Sequence, residues 1–137
     1  MTLDGKICVL LVDDDPHVQT VVTIHLRQLG FDVEGARNGI QALAALNGIG
    51  TAPGTEDRAA YDADVILLDL LMPVMTGYDF LEQYTGPVPV VVMSGLSDVA
   101  KLPRQPFALV VKPMSMIEVA DTLREAAASW RARGETP

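Results

Sequence analysis

DVILLDLLMPVMTGYDF, residues Asp64 to Phe80, decides how this chain folds. Val65 to Leu68 is an unbroken apolar run, the pattern of a strand covered on both faces. The run ends on a carboxylate, Asp69, and Met72-Pro73 and Thr76-Gly77 then turn the chain toward a helix. Burying an unpaired acid at the end of a core strand is costly. In a parallel sheet, however, the carboxyl ends of the strands form the edge where ligands bind. Asp69 therefore reads as a reactive group and not as a packing residue.

Working outward, Lys6 to Val12 reads as a first strand that also ends on acids, Asp13-Asp14-Asp15. Asp15 is suited to N-cap a helix with Pro16 at its first position. Val18, Val22, Leu26 and Leu29 recur at helical spacing until Gly30 stops the run. Phe31 to Ala36 reads as a short second strand, and Asn38 as the cap of a helix carrying Ile40, Leu43, Ala44 and Leu46. Residues 47–61 are rich in Gly, Ala, Thr and Pro and read as a long surface loop.

Beyond Asp69 a helix is expected around Tyr78 to Tyr84, then a fourth strand over Val88 to Met93 that ends at Ser94-Gly95. A brief helical stretch near Asp98 to Leu102 is cut by Pro103 and Pro106. A fifth strand, Ala108 to Val111, delivers Lys112-Pro113, and the last helix runs from a capping box, Ser115 and Glu118, to about Arg131. Five alternations of strand and helix predict a doubly wound five-stranded parallel α/β domain over residues 1–133, with 134–137 as a disordered tail.

The 137 residues suffice for one full core. With 10 Lys+Arg against 18 Asp+Glu, the formal charge of −8 argues against nucleic acid and anionic membrane as partners, since both need basic footprints. Ile7 to Val12 is too short for a signal peptide, and no apolar stretch approaches membrane length. A single cysteine, Cys8, excludes an internal disulfide and fits a reducing, cytoplasmic setting; its place in an apolar run makes it a core residue.

Four strands thus exit into polar chemistry: Asp13 and Asp14, Asp69, Ser94, and Lys112. Three carboxylates converging on one edge repel one another unless they share a cation. Oxygen ligands of this kind suit Mg²⁺, which takes one or two carboxylates together with phosphate oxygens. The Ser94 hydroxyl and the Lys112 ammonium add a donor and a positive charge, suited to the equatorial oxygens of a transferring phosphoryl group. Asp69 is then the nucleophile, and the set reads as an aspartyl phosphorylation site. Singly, each motif is as readily a turn or a cap; the specificity lies in their order along successive strand ends.

LLVDDDP (Leu10 to Pro16), DLLMPVMTG (Asp69 to Gly77), VVMSG (Val91 to Gly95) and VVKP (Val110 to Pro113) together resemble the receiver domain of two-component response regulators, CheY-like, over nearly the whole chain. The resemblance implies a sheet in the order 2-1-3-4-5 with helices on both faces; the short run from Ser94 to Lys112, with Pro103 and Pro106 in it, departs from the family and predicts a shortened fourth helix. The resemblance also implies that Asp69 accepts a phosphoryl group from a phosphohistidine of a sensor histidine kinase or histidine phosphotransfer protein. By the same match Asp13, Asp14, Asp69 and the Leu71 main-chain carbonyl would hold Mg²⁺. Ser94 would contact the phosphoryl group as the switch hydroxyl, and Lys112 would pair with it. Such a domain is a signalling switch that promotes its own phosphorylation and dephosphorylation, not an enzyme acting on other substrates.

Some positions depart from the family pattern. An aromatic residue usually stands three before the lysine, and here that position is Leu109, with Phe107 one strand pair earlier. Leu71 and Leu96 are apolar where many relatives carry polar side chains; they either hinder hydrolysis of the phosphorylated state or simply pack. His17 and His25 read as helix-surface residues, Met72, Met75, Met93, Met114 and Met116 as gap-fillers at the site rim, and Trp130 as a packing anchor or part of a partner patch. Few residues follow the last helix, so output is expected through contact with a downstream protein or through phosphorelay, unless the chain is a receiver excised from a longer protein. Two other readings compete. One is a scaffold that keeps the fold without phosphorylation. The other is a phosphatase of the haloacid dehalogenase type, which wants an acid two residues after the nucleophile, where Leu71 stands.

Overall fold

The computed structural model describes residues 6–47, 60–70, 76–95, 102–112 and 115–135. In chain order these form β1 (Cys8–Val12), α1 (Pro16–Gln28), β2 (Asp32–Ala36), α2 (Gly39–Asn47), β3 (Val65–Asp69), α3 (Gly77–Gln83), β4 (Val90–Ser94), β5 (Ala108–Val111) and α4 (Met116–Glu135). The strands make one parallel sheet in the order β2-β1-β3-β4-β5. Every residue of the central strands β1, β3 and β4 is buried, which is why their sequences are continuous apolar runs and not alternating ones.

Alternation along the strands divides the core between the two faces. Val9, Leu11, Val65, Leu67, Val91 and Met93 pack with Val22 and Leu26 of α1 and with Val119, Leu123 and Ala126 of α4. Leu10, Val12, Ile66, Leu68, Val90 and Val92 pack on the other face with Ala42 and Ala45 of α2 and with Phe80 and Leu81 of α3. The three-layer doubly wound architecture expected from the sequence is the one observed.

The helix ends follow local chemistry. The Asp15 carboxylate accepts from the His17 and Val18 amides, with Pro16 opening α1. The Asn38 side chain accepts from the Gln41 amide at 2.8 Å. Thr76 and Asp79 form a reciprocal capping box at the start of α3, where Thr76-Gly77 predicts only a turn. The Ser115 hydroxyl accepts from the Glu118 amide at 3.1 Å.

Several boundaries and burials differ from expectation. The fourth strand starts at Val90, not Val88, because Pro89 offers no amide to a ladder, although its carbonyl accepts from Ile66 at 2.9 Å. The last helix continues to Glu135, past Arg131 and into the expected disordered tail, which leaves only 136 and 137 outside the described residues. Leu29 and Ile40, placed by helical spacing among the apolar positions of their helices, are exposed. Met93 is fully buried in the sheet core and not on the site rim. Of the helical stretch expected near Asp98 to Leu102, only Leu102 is described, and it is buried against the α2–α3 face. Most of the expected 47–61 loop, with Leu71, Leu96, Met72, Met75 and Met114, also lies outside the described residues.

Candidate functional site

The sheet brings the predicted acids together at its carboxyl edge. One carboxylate oxygen each from Asp13, Asp14 and Asp69 lies within 4.8 Å of the others. Asp13 is aimed by an extra rung of the ladder, its amide donating to the Ala36 carbonyl at 3.0 Å. One of its carboxylate oxygens, Oδ1, accepts from the Asp15 amide at 2.9 Å. The other, Oδ2, is buried with no hydrogen-bond partner among the described residues. Burial pushes the Asp13 carboxyl up to about 6, and the charges of Asp69 and Asp14 add to that push, against the Asp15 hydrogen bond.

Lys112 and Ser94 arrive at the same edge. Asp69 pairs in register with Met93, and Ser94 with Val111, so β3, β4 and β5 all end at one level. The Lys112 amide donates to the Ser94 carbonyl at 2.8 Å, continuing the ladder past β5. The Lys112 ammonium then reaches Asp69 Oδ1 at 3.4 Å. Ser94 is buried, while Lys112 keeps its side chain 42% exposed, in reach of an arriving partner.

Gly77 supports Asp69 from behind. Its amide donates to the Leu70 carbonyl at 3.0 Å. A Cβ at this position would stand 2.5 Å from the Asp69 carbonyl oxygen and 2.6 Å from Leu70 Cα. Only glycine lets α3 begin this close to the strand end.

The donor set fits a small hard cation. Three converging carboxylates, one with a buried oxygen that has no partner among the described residues, are hard oxygen donors of the kind Mg²⁺ takes while keeping water. The Leu71 carbonyl, expected as a further ligand, lies outside the described residues.

At the switch position, Leu109 is half-buried against the α2–α3 face, and Phe107 is 44% exposed ahead of β5. His17 and His25 are exposed on α1.

Two features of the molecule were not anticipated. Gln19, on α1, reaches back to the carboxyl end of the sheet. Its signal was available: a polar side chain falls on the stripe that Val22 and Leu26 continue. At the opposite edge, Arg131 of α4 grips buried Asp64 through two bonds of 3.1 and 2.9 Å and donates to the Lys6 carbonyl at 2.7 Å. Asp64 in turn accepts from the Cys8 amide at 2.9 Å. A pair 67 residues apart leaves no local sequence signal.

A family model for the response regulator receiver domain matches residues 9–124. The chain belongs to the receiver domains of two-component response regulators. It is 38% identical over 96 residues to a protein-glutamate methylesterase/protein-glutamine glutaminase of Rhodospirillum rubrum, covering 66% of this chain and 22% of that protein. It is 33% identical over 124 residues to the transcriptional regulatory protein KdpE of Mycobacterium tuberculosis, covering 86% of this chain and 50% of that one. The chain thus spans half or less of the length of these relatives. The crystal structure of chemotaxis protein CheY4 of Vibrio cholerae superposes with a TM-score of 0.70 at 26% identity, covering 89% of this chain and 99% of that one. Receiver domains work as phosphorylation-dependent signalling modules, phosphorylated by histidine kinases. Among the described residues, no helix is long and apolar enough to cross a membrane.

Proposed function

We propose that Asp69 is the phosphoacceptor of this receiver, charged from a phosphohistidine on a sensor histidine kinase or histidine phosphotransfer protein. The observation that carries the reading is the Asp13–Asp14–Asp69 cluster with the Lys112 ammonium 3.4 Å from Asp69. An Asp69 carboxylate oxygen bonds to phosphorus as the P–N bond to the donor imidazole breaks, and the electron pair leaves with the imidazole nitrogen. Lys112 offsets the charge that gathers on Asp69 and on the incoming phosphoryl oxygens. Ser94 stands at the end of the adjacent strand to donate its hydroxyl to the transferred group.

Asp13 and Asp14, with Asp69 and the Leu71 carbonyl, would hold Mg²⁺. The bound ion supplies positive charge that lets three carboxylates and a phosphoryl group share one edge. The orphaned Asp13 Oδ2 supports this assignment, because a buried carboxylate oxygen without a partner is otherwise costly.

Output passes by contact with a downstream protein or by phosphorelay. Some relatives are named as DNA-binding regulators, and the match covers 35% of one of them, MtrA of Mycolicibacterium smegmatis. With a formal charge of −8, we assign this chain no nucleic-acid contact of its own. Incubation with Mg²⁺ and acetyl phosphate, followed by peptide mass spectrometry, tests the reading. The expected result is one phosphoryl group on the Asp69 peptide, lost in Asp69→Asn and in the presence of a chelator. A wild-type chain that gains no phosphoryl group under these conditions is a scaffold, and the proposal fails.

A further inference from the structure

Gln19 makes contacts out of proportion to a helix-surface glutamine. Its Nε2 lies 3.2 Å from the Leu11 carbonyl, 3.0 Å from the Asp13 carbonyl and 2.8 Å from the Ala36 carbonyl. Carbonyls only accept, so the amide nitrogen must face them, and its two hydrogens are shared among three oxygens. These three oxygens belong to β1, to the loop that presents the acids, and to the last residue of β2. The side chain therefore fastens the acid-bearing loop to the edge of the sheet from above. Gly35, in register with Leu11, makes the space: a Cβ there would stand 2.4 Å from Gln19 Oε1, so the side-chain amide would have to shift.

We infer that Gln19, seated over Gly35, is a positioning residue that sets the direction of the Asp13 and Asp14 carboxylates and so tunes the divalent-cation affinity of the site. The inference rests on the Mg²⁺-dependent phosphoacceptor reading and deepens it. The Gln19 amide has three main-chain carbonyls as its acceptors, and not the clustered carboxylates. It holds the Asp13 main chain, whose amide also donates to Ala36, and thereby fixes where the Asp13 side chain leaves the strand end. Partners one step removed from a metal ligand change affinity by about 10- to 100-fold when lost.

Mg²⁺ titration by calorimetry, paired with urea unfolding in chelator, tests the inference in the full chain. Gln19→Ala is expected to weaken Mg²⁺ binding about tenfold, the lower end for a residue of this kind. Gly35→Ala, with Gln19 intact, is expected to weaken it similarly, since the new methyl displaces the amide. In the Gln19→Ala background the same Gly35→Ala change is expected to add little further loss. Unchanged Mg²⁺ affinity in folded Gln19→Ala, with only the urea midpoint lowered, makes Gln19 a structural clamp and overturns the inference. If Gln19→Ala does not fold, Gly35→Ala decides: unaltered affinity there overturns it. Wild-type chain that neither binds Mg²⁺ nor is phosphorylated on Asp69 defeats the phosphoacceptor reading instead, which keeps the two failures distinct.

Discussion

Lys112 Nζ stands 3.4 Å from Asp69 Oδ1, although 43 residues separate them in the chain. The pairing comes from strand register: β4 lies between β3 and β5, and the Lys112 amide hydrogen-bonds to Ser94 one residue beyond the end of β5. The lysine brings a cation to the three clustered carboxylates, and this sets the first expectation. Lys112→Ala should fold normally, its side chain being 42% exposed. Phosphorylation of Asp69 by acetyl phosphate should slow roughly a hundredfold, the usual scale for removing one charged group from a developing transition state. Rates followed by mass spectrometry decide; an unchanged rate removes Lys112 from the mechanism.

Asp13 gives a pH dependence. Its carboxyl is held at about 6 by burial and by the neighbouring acids, above its ordinary value near 3.8. Between those values the folded chain binds a proton that the unfolded chain does not, so stability falls as pH rises through that window. In chelator, the wild type should therefore lose stability between about pH 4 and pH 6.5, and Asp13→Asn should show a flatter profile. Added Mg²⁺ near neutral pH should raise the wild-type melting temperature and leave Asp13→Asn little changed. Thermal melts across the pH series, with and without Mg²⁺, provide the check. Parallel profiles for the two proteins would contradict it.

Gly77 faces the Asp69 carbonyl with no room for a side chain. Gly77→Ala must push apart two pieces of backbone, since the obstructing atoms are Asp69 O and Leu70 Cα. The expected loss is about 1–3 kcal/mol of stability, together with slower phosphorylation, because the strand end carrying Asp69 moves. Chemical denaturation and the acetyl phosphate assay on the same variant test both parts.

Arg131 and Asp64 make the opposite prediction, a stability effect without a chemical one. Arg131→Met keeps an apolar stem but leaves the buried Asp64 carboxylate without its guanidinium partner. A loss of about 1–3 kcal/mol is expected, as for a buried group that loses a hydrogen-bond partner. Asp64 precedes β3 and Asp69 ends it, so the phosphorylation rate should stay at the wild-type value. A variant slowed in phosphorylation yet unaltered in urea midpoint would reverse the assignment.

Much of the fold was legible because burial on both faces leaves a one-dimensional trace. Val9 to Val12, Val65 to Leu68 and Val90 to Met93 are apolar without interruption, and those residues line the two cores. Helix starts were legible where a side chain caps its own backbone, as at Asp15 and Asn38. The end of α4 was not, since no glycine or proline stops the helix at Arg131 and the pairing with Asp64 supports its last turns. Helical spacing puts Leu29 and Ile40 on their helices without saying how far the neighbouring layer extends over them, and both are exposed.

The sequence by itself determined the alternation of strands and helices and the order in which acids, hydroxyl and lysine leave the strands, because both are properties of short stretches. Only the tertiary structure decided that Asp13 carries a buried oxygen with no partner among the described residues, that Gly77 lies against Asp69, and that Gln19 and Arg131 fasten opposite edges of the sheet. Those facts depend on where strand register and helix packing place side chains in space, which the sequence pattern does not state.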